Sequence, residues 1–200
     1  NVYGGRGESG DVIANSVAIN GGTVSGIYGG STFSGDATGN AVTLSSGTVN
    51  GNISGGSSFS GDATGNAISL NGGLVTEDVR GGNSNQGAVT DNTVTISGGQ
   101  VVGDMYGGKG VNGHVADNTV TLSGGLVDGE VYGGYSDNNT VTGNTVTVGN
   151  GSAVGGHVYG GYGYNGTVSD NMVSVSGGAV QQDVYGGYGY NGTVSDNMVT

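Results

Sequence analysis

The chain repeats itself about every 26 residues from one end to the other. Each unit begins with an apolar residue, a variable residue and then Gly-Gly, and successive anchors lie 25 to 27 residues apart. The apolar anchors are Val2, Ile27, Ile53, Val79, Met105, Val131, Val158 and Val184. A period of this length is typical of arrays in which each unit buries one face against the next unit, so the repeat restricts the chain to a repeat architecture.

The repeat covers all 200 residues and leaves no room for a second domain. The units are 1–25, 26–51, 52–77, 78–103, 104–129, 130–156, 157–182 and a partial unit, 183–200. Natural arrays close with atypical polar units, and the first and last units here are typical ones. We therefore expect a single continuous array that is a segment of a longer chain.

The units are built from strands rather than helices. Gly occupies 49 positions, and each Gly in a helix costs about 1 kcal/mol relative to Ala. Asn118, Val120 and Leu122 alternate with Thr119 and Thr121. This period of two predicts a strand. The same pattern recurs at 92–96, 144–148 and 171–175.

Two further strands are predicted in each unit. One is centred on Val24, Val49, Val75, Val101, Val127, Val154 and Val180, and it could run on into the anchor. A weaker one is centred on Val12, Ala37, Ala63, Val89, Val115, Val141, Val168 and Val194. Gly-rich turns separate the strands. We predict an all-β parallel β-solenoid (β-helix) of roughly eight coils, with two to three short strands in each coil of about 26 residues.

Other repeat folds agree less well with this pattern. Propeller blades are longer, leucine-rich repeats need a Leu pattern that is absent, and calcium-binding nonapeptide repeats need a nine-residue period. In the solenoid, two apolar columns should face the core. They are Val17, Val42, Ile68, Val94, Val120, Val146 and Val173, and Ile19, Leu44, Leu70, Ile96, Leu122, Val148 and Val175.

One repeat position holds Asn in every unit. The eight residues are Asn15, Asn40, Asn66, Asn92, Asn118, Asn144, Asn171 and Asn197. A stacked amide can donate a hydrogen bond to one neighbouring coil and accept one from the other. We therefore predict an inward-facing structural Asn ladder, with a ligand-binding role as the alternative.

Acidic residues recur at two other positions. Asp91, Asp117, Asp170 and Asp196 precede the Asn in their units, and Gly or Ala holds this position elsewhere, which indicates a left-handed turn. Stacked carboxylates repel unless they are neutralised, so these four residues form a candidate Ca²⁺ site, with a solvated acidic face as the alternative. A second acidic column contains Asp78, Asp104, Glu130 and Asp183.

Aromatic residues form columns that are densest towards the C-terminal end. If side chains alternate along the strand, Tyr next to an inward Val should point outwards. The exposed aromatic ladder predicted in this way contains Tyr106, Tyr132, Tyr135, Tyr159, Tyr162, Tyr164, Tyr185, Tyr188 and Tyr190. Such a ladder could bind sugars or a second fibre, and mutual ring stacking that stiffens the turns is the alternative.

Composition and charge exclude several classes of function. The net charge of −12 argues against nucleic acid as a partner, and no apolar run is long enough for direct membrane insertion. His114 and His157 occupy different repeat positions, and no base recurs beside a nucleophile. We therefore expect no enzyme activity, no catalytic residues and no cofactor other than the candidate calcium.

The repeats resemble those in the passenger regions of bacterial autotransporter-type adhesins and related large surface exoproteins. The resemblance lies in units such as VYGGYGYNGTVSDNMVSVSGG and extends over the whole chain. It is a style of repeat, so no functional residue carries over from that family. The resemblance implies secretion, a parallel β-helix, and a role in adhesion, aggregation or matrix building.

Three functions are compatible with these observations. The first is a structural or adhesive fibre or stalk segment, extracellular on a bacterial cell surface. The second is a subunit of a self-assembling extracellular filament, and the third, least favoured, is a carbohydrate-active β-helix enzyme. The partners expected are other copies of the chain or neighbouring fibres, together with cell-surface glycans.

Overall fold

The structure, a computed structural model, describes all 200 residues and contains strands and turns but no helix. The first four coils contain β1 (Val2–Arg6), β2 (Val12–Ile13), β3 (Ser16–Val24), β4 (Ile27–Thr32), β5 (Ala37–Thr38), β6 (Ala41–Val49), β7 (Ile53–Ser58), β8 (Ala63–Thr64), β9 (Ala67–Leu70), β10 (Leu74–Val75), β11 (Val79–Ser84), β12 (Val89–Thr90), β13 (Thr93–Ile96) and β14 (Gln100–Val101). The last four contain β15 (Met105–Gly110), β16 (Val115–Ala116), β17 (Thr119–Leu122), β18 (Gly125–Val127), β19 (Val131–Ser136), β20 (Val141–Thr142), β21 (Thr145–Gly149), β22 (Ser152–Val154), β23 (Val158–Gly163), β24 (Val168–Ser169), β25 (Met172–Ser176), β26 (Ala179–Val180), β27 (Val184–Gly189), β28 (Val194–Ser195) and β29 (Met198–Val199).

The strands form three parallel sheets that run along the stack of coils. The anchor sheet has the order β1-β4-β7-β11-β15-β19-β23-β27, and the short sheet has the order β2-β5-β8-β12-β16-β20-β24-β28. The broad sheet contains the remaining 13 strands. Paired residues are one repeat apart, as in Val94 and Val120, which confirms the predicted parallel β-solenoid of about eight coils.

A complete coil has up to four strands, where two to three were expected. The segment around Val127 does not run on into the anchor at Val131. It belongs to the broad sheet, as β18, and Val131 begins β19 of the anchor sheet. The chain therefore turns between these two residues, over the segment 128–130.

The core lies between the anchor sheet and the broad sheet. The predicted core columns are buried, with Val94, Val120 and Leu122 fully inaccessible. Ile19 and Val175, which lie near the two ends of the array, are half-buried and pack against this cluster. A smaller cluster behind the short sheet contains Ala63, Val89, Val115, Val141 and Val168. The period-two pattern therefore identified the inward face of the broad-sheet strands correctly.

Candidate functional site

The Asn residues form one continuous column of hydrogen-bonded amides inside the solenoid. Each Nδ2 donates to Oδ1 of the Asn in the next coil at 2.9–3.0 Å. The same Oδ1 also accepts the backbone N–H of the preceding Asn, again at 2.9–3.0 Å. Six of the eight are buried, and Asn15 and Asn197, at the ends, are half-buried.

The amide hydrogens in this column also serve the backbone of the neighbouring turns. In Asn118, Nδ2 lies 2.9 Å from the carbonyl oxygens of both Ala116 and Val89, besides its bond to Asn144. A buried amide that is bonded on all sides carries little desolvation cost. The column therefore connects the short sheet, the broad sheet and the next coil, which is the geometry of a structural ladder.

The Gly-Gly pair of the repeat lies where the anchor strand packs closely against the Asn column and the next coil. A Cβ placed on Gly134 would lie 2.5 Å from Nδ2 of Asn144, and one on Gly133 would lie 2.4 Å from the backbone oxygen of Gly160 and 3.2 Å from the Cβ of Asn144. Real Cβ atoms do not approach this closely without displacing their neighbours. The Gly-Gly pair of each unit and the Asn ten residues after it therefore pack against each other.

The residue before each ladder Asn adopts the left-handed conformation that was predicted. The φ angles of Asp91, Asp117, Asp170 and Asp196 lie between 55° and 59°. All four carboxylates are exposed. No group of three or more His, Cys, Asp or Glu side chains is placed to hold a metal ion. Calcium binding at these positions stays a prediction, which chelator titration of the melting temperature at constant ionic strength would test.

The second acidic column is satisfied by the protein's own hydrogen-bond donors. Oδ1 of Asp78 accepts the backbone N–H of Asp104 at 3.1 Å, and Oδ1 of Asp104 accepts that of Glu130 at 2.9 Å. Arg80 adds an ion pair to Asp78 at 2.6 Å. These carboxylates therefore join successive coils, and their negative charges are balanced locally by N–H groups and one guanidinium.

A third acidic column was not identified from the sequence. Asp11, Asp36 and Asp62 each accept the backbone N–H of the residue one coil further on, at 2.8–2.9 Å. The column ends at Ala88, where no carboxylate continues it. Three acidic residues at one repeat position were the only signal in the sequence, and the inter-coil bond itself depends on the turn geometry.

The tyrosines form two columns that pack against each other on the outer side of the anchor sheet. Rings of one column stack at 4.9–5.1 Å between centroids, from Tyr106 to Tyr185. Each ring also meets one from the second column edge-on, as in Tyr132 and Tyr135 at 5.6 Å. Both residues of this pair lie outside because Gly133 and Gly134 both face inwards, which breaks the strict alternation.

The prediction that the whole aromatic ladder is exposed was wrong for its central members. Tyr106, Tyr132 and Tyr159 are only 5–7% exposed, because the second column and the stacked neighbours cover them. Tyr135, Tyr162 and Tyr185 are partly buried against this cluster. Tyr164, Tyr188 and Tyr190 are exposed, as expected.

Phenol groups in these columns donate hydrogen bonds to carboxylates of the same coil. Tyr106 donates to Asp104 at 3.1 Å, Tyr132 donates to Glu130, and Tyr135 donates to Asp137 at 2.9 Å. Burial, followed by the charge of Asp104, raises the pKa of Tyr106. Burial and the bond to Glu130 raise that of Tyr132. The phenols therefore stay protonated and act as donors.

Cations cover the rings where the tyrosine columns are interrupted. The Lys109 ammonium lies 4.3 Å from the centroid of the Tyr106 ring, and Arg6 lies 5.3 Å from that of Tyr3. Burial, with a smaller effect of Arg80, lowers the pKa of Lys109. These cation–π contacts are favourable and help to fix the rings that they cover.

Two flat aromatic pairs remain accessible at the turn that follows the anchor strand. Phe33 stacks on Phe59 at 4.9 Å, and Tyr164 stacks on Tyr190 at 4.8 Å. Beside the first pair lies a shallow groove of roughly 350 Å³ whose polar lining includes Arg6 and Glu8. An open ring face with polar side chains at its edge is the kind of surface on which a sugar ring stacks.

The neighbouring turn position carries a second, exposed amide column. Nδ2 of Asn138, Asn165 and Asn191 donates to Oδ1 of the Asn in the preceding coil at 3.0–3.2 Å, starting from Asn112. Sequence reasoning did not recognise this column, because Ser or Gln holds the position in the N-terminal half. It supplies an accessible amide row beside the Tyr164 stack.

The two histidines lie apart and have different surroundings. His114 is exposed, whereas Nδ1 of His157 accepts the backbone N–H of Asp183 at 3.1 Å. The His157 position thus belongs to the column that contains Asp104 and Glu130, where it replaces a carboxylate as acceptor. The hydrogen bonds of the structure join neither histidine to a Ser or Thr hydroxyl.

Comparison with family models, with curated proteins and with solved structures finds no match to this chain. The structure contains no helix with the length and hydrophobicity needed to cross a membrane.

Proposed function

We propose that the chain is a structural segment of an extracellular bacterial fibre, a stiff stalk with adhesive patches on its surface. The observation that supports this proposal most is the unbroken coil-to-coil connection. Every pair of successive coils is joined by an amide hydrogen bond, which is buried in the inner coils as between Asn92 and Asn118, and by parallel strand pairing in three sheets. Such a stack resists bending and shear, because each coil is held at several points around its cross-section.

A test of the stalk proposal is labelling of intact source cells with antibodies against the folded chain. We expect labelling before permeabilisation, and electron microscopy of the labelled fibres should show thin rods. Antigen that becomes accessible only after the cells are lysed would contradict the proposal.

The adhesive part of the proposal assigns glycans to the exposed aromatic pairs. Phe33 and Phe59, and Tyr164 and Tyr190, stack in pairs and are 42–61% exposed, and ring stacking on a sugar needs only one open face. The amide row that includes Asn165 could donate and accept hydrogen bonds with sugar hydroxyls beside the second pair.

The glycan proposal is tested by binding to a panel of immobilised oligosaccharides. Replacing Tyr164 and Tyr190 together by Ala should weaken binding of the sugars recognised at that pair by about thirtyfold, since the two rings contribute on the order of 1 kcal/mol each. Gln182→Ala, at the exposed turn before the anchor strand β27 and away from both aromatic pairs, is the control. Equal binding by the double variant and the control would remove these rings from the site.

A further inference from the structure

The outer surface of the broad sheet carries no charged side chain. We call this surface the neutral face. The segments that form it are 16–24, 41–49, 67–75, 93–101, 119–127, 145–154 and 172–180, and none of the three basic and fifteen acidic residues lies in any of them. The net charge of −12 is therefore carried entirely outside these segments.

Residues in register line the neutral face, and their side chains are short except for Met172 and Met198 at one end. One outward row contains Ser16, Ala41, Ala67, Thr93, Thr119, Thr145, Met172 and Met198. The next contains Ala18, Thr43, Ser69, Thr95, Thr121, Thr147 and Ser174. Rows of short side chains on paired sheets can interdigitate closely, as they do in steric zippers.

Charged residues lie along both borders of the neutral face. Asp91 and Asp117 stand two positions before the first outward row, and Glu77 and Asp128 follow the last strand of the sheet. An uncharged centre with a charged rim is the arrangement found in protein–protein interfaces. Where carboxylates lie on the surface they oppose the approach of a second copy, because like charges repel.

The size of the neutral face is that of a stable interface. Most coils contribute two short strands joined by a turn, such as β17 and β18, and their strand residues span about 20–25 Å. Seven coils rise about 34 Å, so the face covers on the order of 750 Å². Two such faces together bury about 1,500 Å², which lies in the range of specific protein complexes.

We propose that the neutral face binds the neutral face of a second copy of this chain, so that two solenoids pair side by side. A two-fold axis relates the copies, since the same patch serves both partners. This inference concerns lateral pairing and does not depend on glycan binding or on the stalk function.

Sedimentation of the 200-residue chain at several concentrations tests the pairing. We expect a monomer–dimer equilibrium at micromolar concentrations. Added salt should strengthen it, because screening reduces the repulsion between two copies of charge −12. Thr95→Lys, in the middle of the face, should weaken dimerisation at least about tenfold, since the two-fold axis buries the new charge twice.

Thr90→Lys is the matched control, because it adds the same charge in the same coil but on the short sheet. It should leave the dimer constant within about twofold, and both variants should keep the wild-type melting temperature at low concentration. The proposal would be overturned if the wild-type chain stayed monomeric up to ~100 μM, which is well above the micromolar range of specific complexes. Equal effects of the two variants on dimerisation would also overturn it. If that monomer instead sediments with crystalline polysaccharide and Thr95→Lys prevents this, the face has another occupant and pairing is wrong.

Discussion

At the scale of single residues, the fold depends on one side-chain amide per coil. Asn118 is fully buried and joins Asn92, Asn144 and two backbone carbonyls. Among uncharged side chains, only Asn and Gln carry two N–H donors together with a carbonyl acceptor, and Gln is longer. The position is therefore restricted by hydrogen bonding and, through Gly133 and Gly134, by space.

Replacing Asn118 by Ala should destabilise the chain by about 1–3 kcal/mol, because buried groups of Asn92 and Asn144 lose their partners. Asn138→Ala removes a similar amide from the exposed column and should cost less than about 0.5 kcal/mol. Denaturant unfolding of both variants measures the difference. If both lose the same stability, the buried ladder has no special role.

Gly134→Ala should destabilise the chain by roughly 1–3 kcal/mol, since the added Cβ must displace the side chain of Asn144. Gly10→Ala is the control, because no atom lies within 4 Å of a Cβ at that position. Thermal melts of the two variants provide the comparison. A wild-type melting temperature for Gly134→Ala would contradict the packing described for the Gly-Gly pair.

At the scale of the elements, each strand has one face that the sequence predicts well and one that it does not. The inward valines and leucines, such as Val120 and Leu122, follow a period of two and are all buried in the inner coils. The outward tyrosines do not follow from that period. Tyr132 and Tyr135 share one side because the strand departs from alternation at Gly133 and Gly134, and a three-dimensional neighbour covers each ring.

Val120→Asp should reduce the stability of the chain by more than about 3 kcal/mol, because it places an unpaired charge in the core. Thr121→Asp, on the opposite face of the same strand, should change stability by less than about 1 kcal/mol. Urea midpoints at low protein concentration give both values. Similar losses for the two variants would contradict the inward and outward faces of β17.

Alkaline pH should unfold the chain through its tyrosine columns. The pKa values of Tyr106, Tyr132 and Tyr159 are raised in the folded state, chiefly by burial. The phenols of an unfolded chain ionise near pH 10, so the stabilising contribution is complete below about pH 10 and is lost as pH rises above it.

Phenolate absorbance and circular dichroism followed together test this dependence. The phenolate signal of the buried tyrosines should appear with loss of β structure, and Tyr132→Phe should reduce the slope of stability against pH above pH ~10. Ionisation of all tyrosines while the β structure stays intact would show that the columns are open to solvent.

At the scale of the whole molecule, the 26-residue period determines the architecture, and the faces determine what it can bind. The solenoid, its coils and its core could be predicted because each depends on a pattern that recurs along the chain. The bonds from Asp36 and Asp62 to the next coil could not, since they depend on how the turns are placed. The neutral face is likewise visible in the sequence only once the outward positions are known.

The register of the stack is the central claim, and engineered disulfides test it directly because the chain contains no Cys. Ser31, Ser57 and Asn83 lie in one outward row of the anchor sheet, in three successive coils. The Cα atoms of residues in adjacent coils of this row are about 4.8 Å apart, and the Cα atoms of residues separated by two coils are about 9.6 Å apart. A disulfide needs a Cα separation below about 7 Å. Ser57→Cys with Asn83→Cys should therefore form an intramolecular disulfide under mild oxidation, and Ser31→Cys with Asn83→Cys should not. A disulfide in the second variant, or none in the first, would contradict the solenoid register.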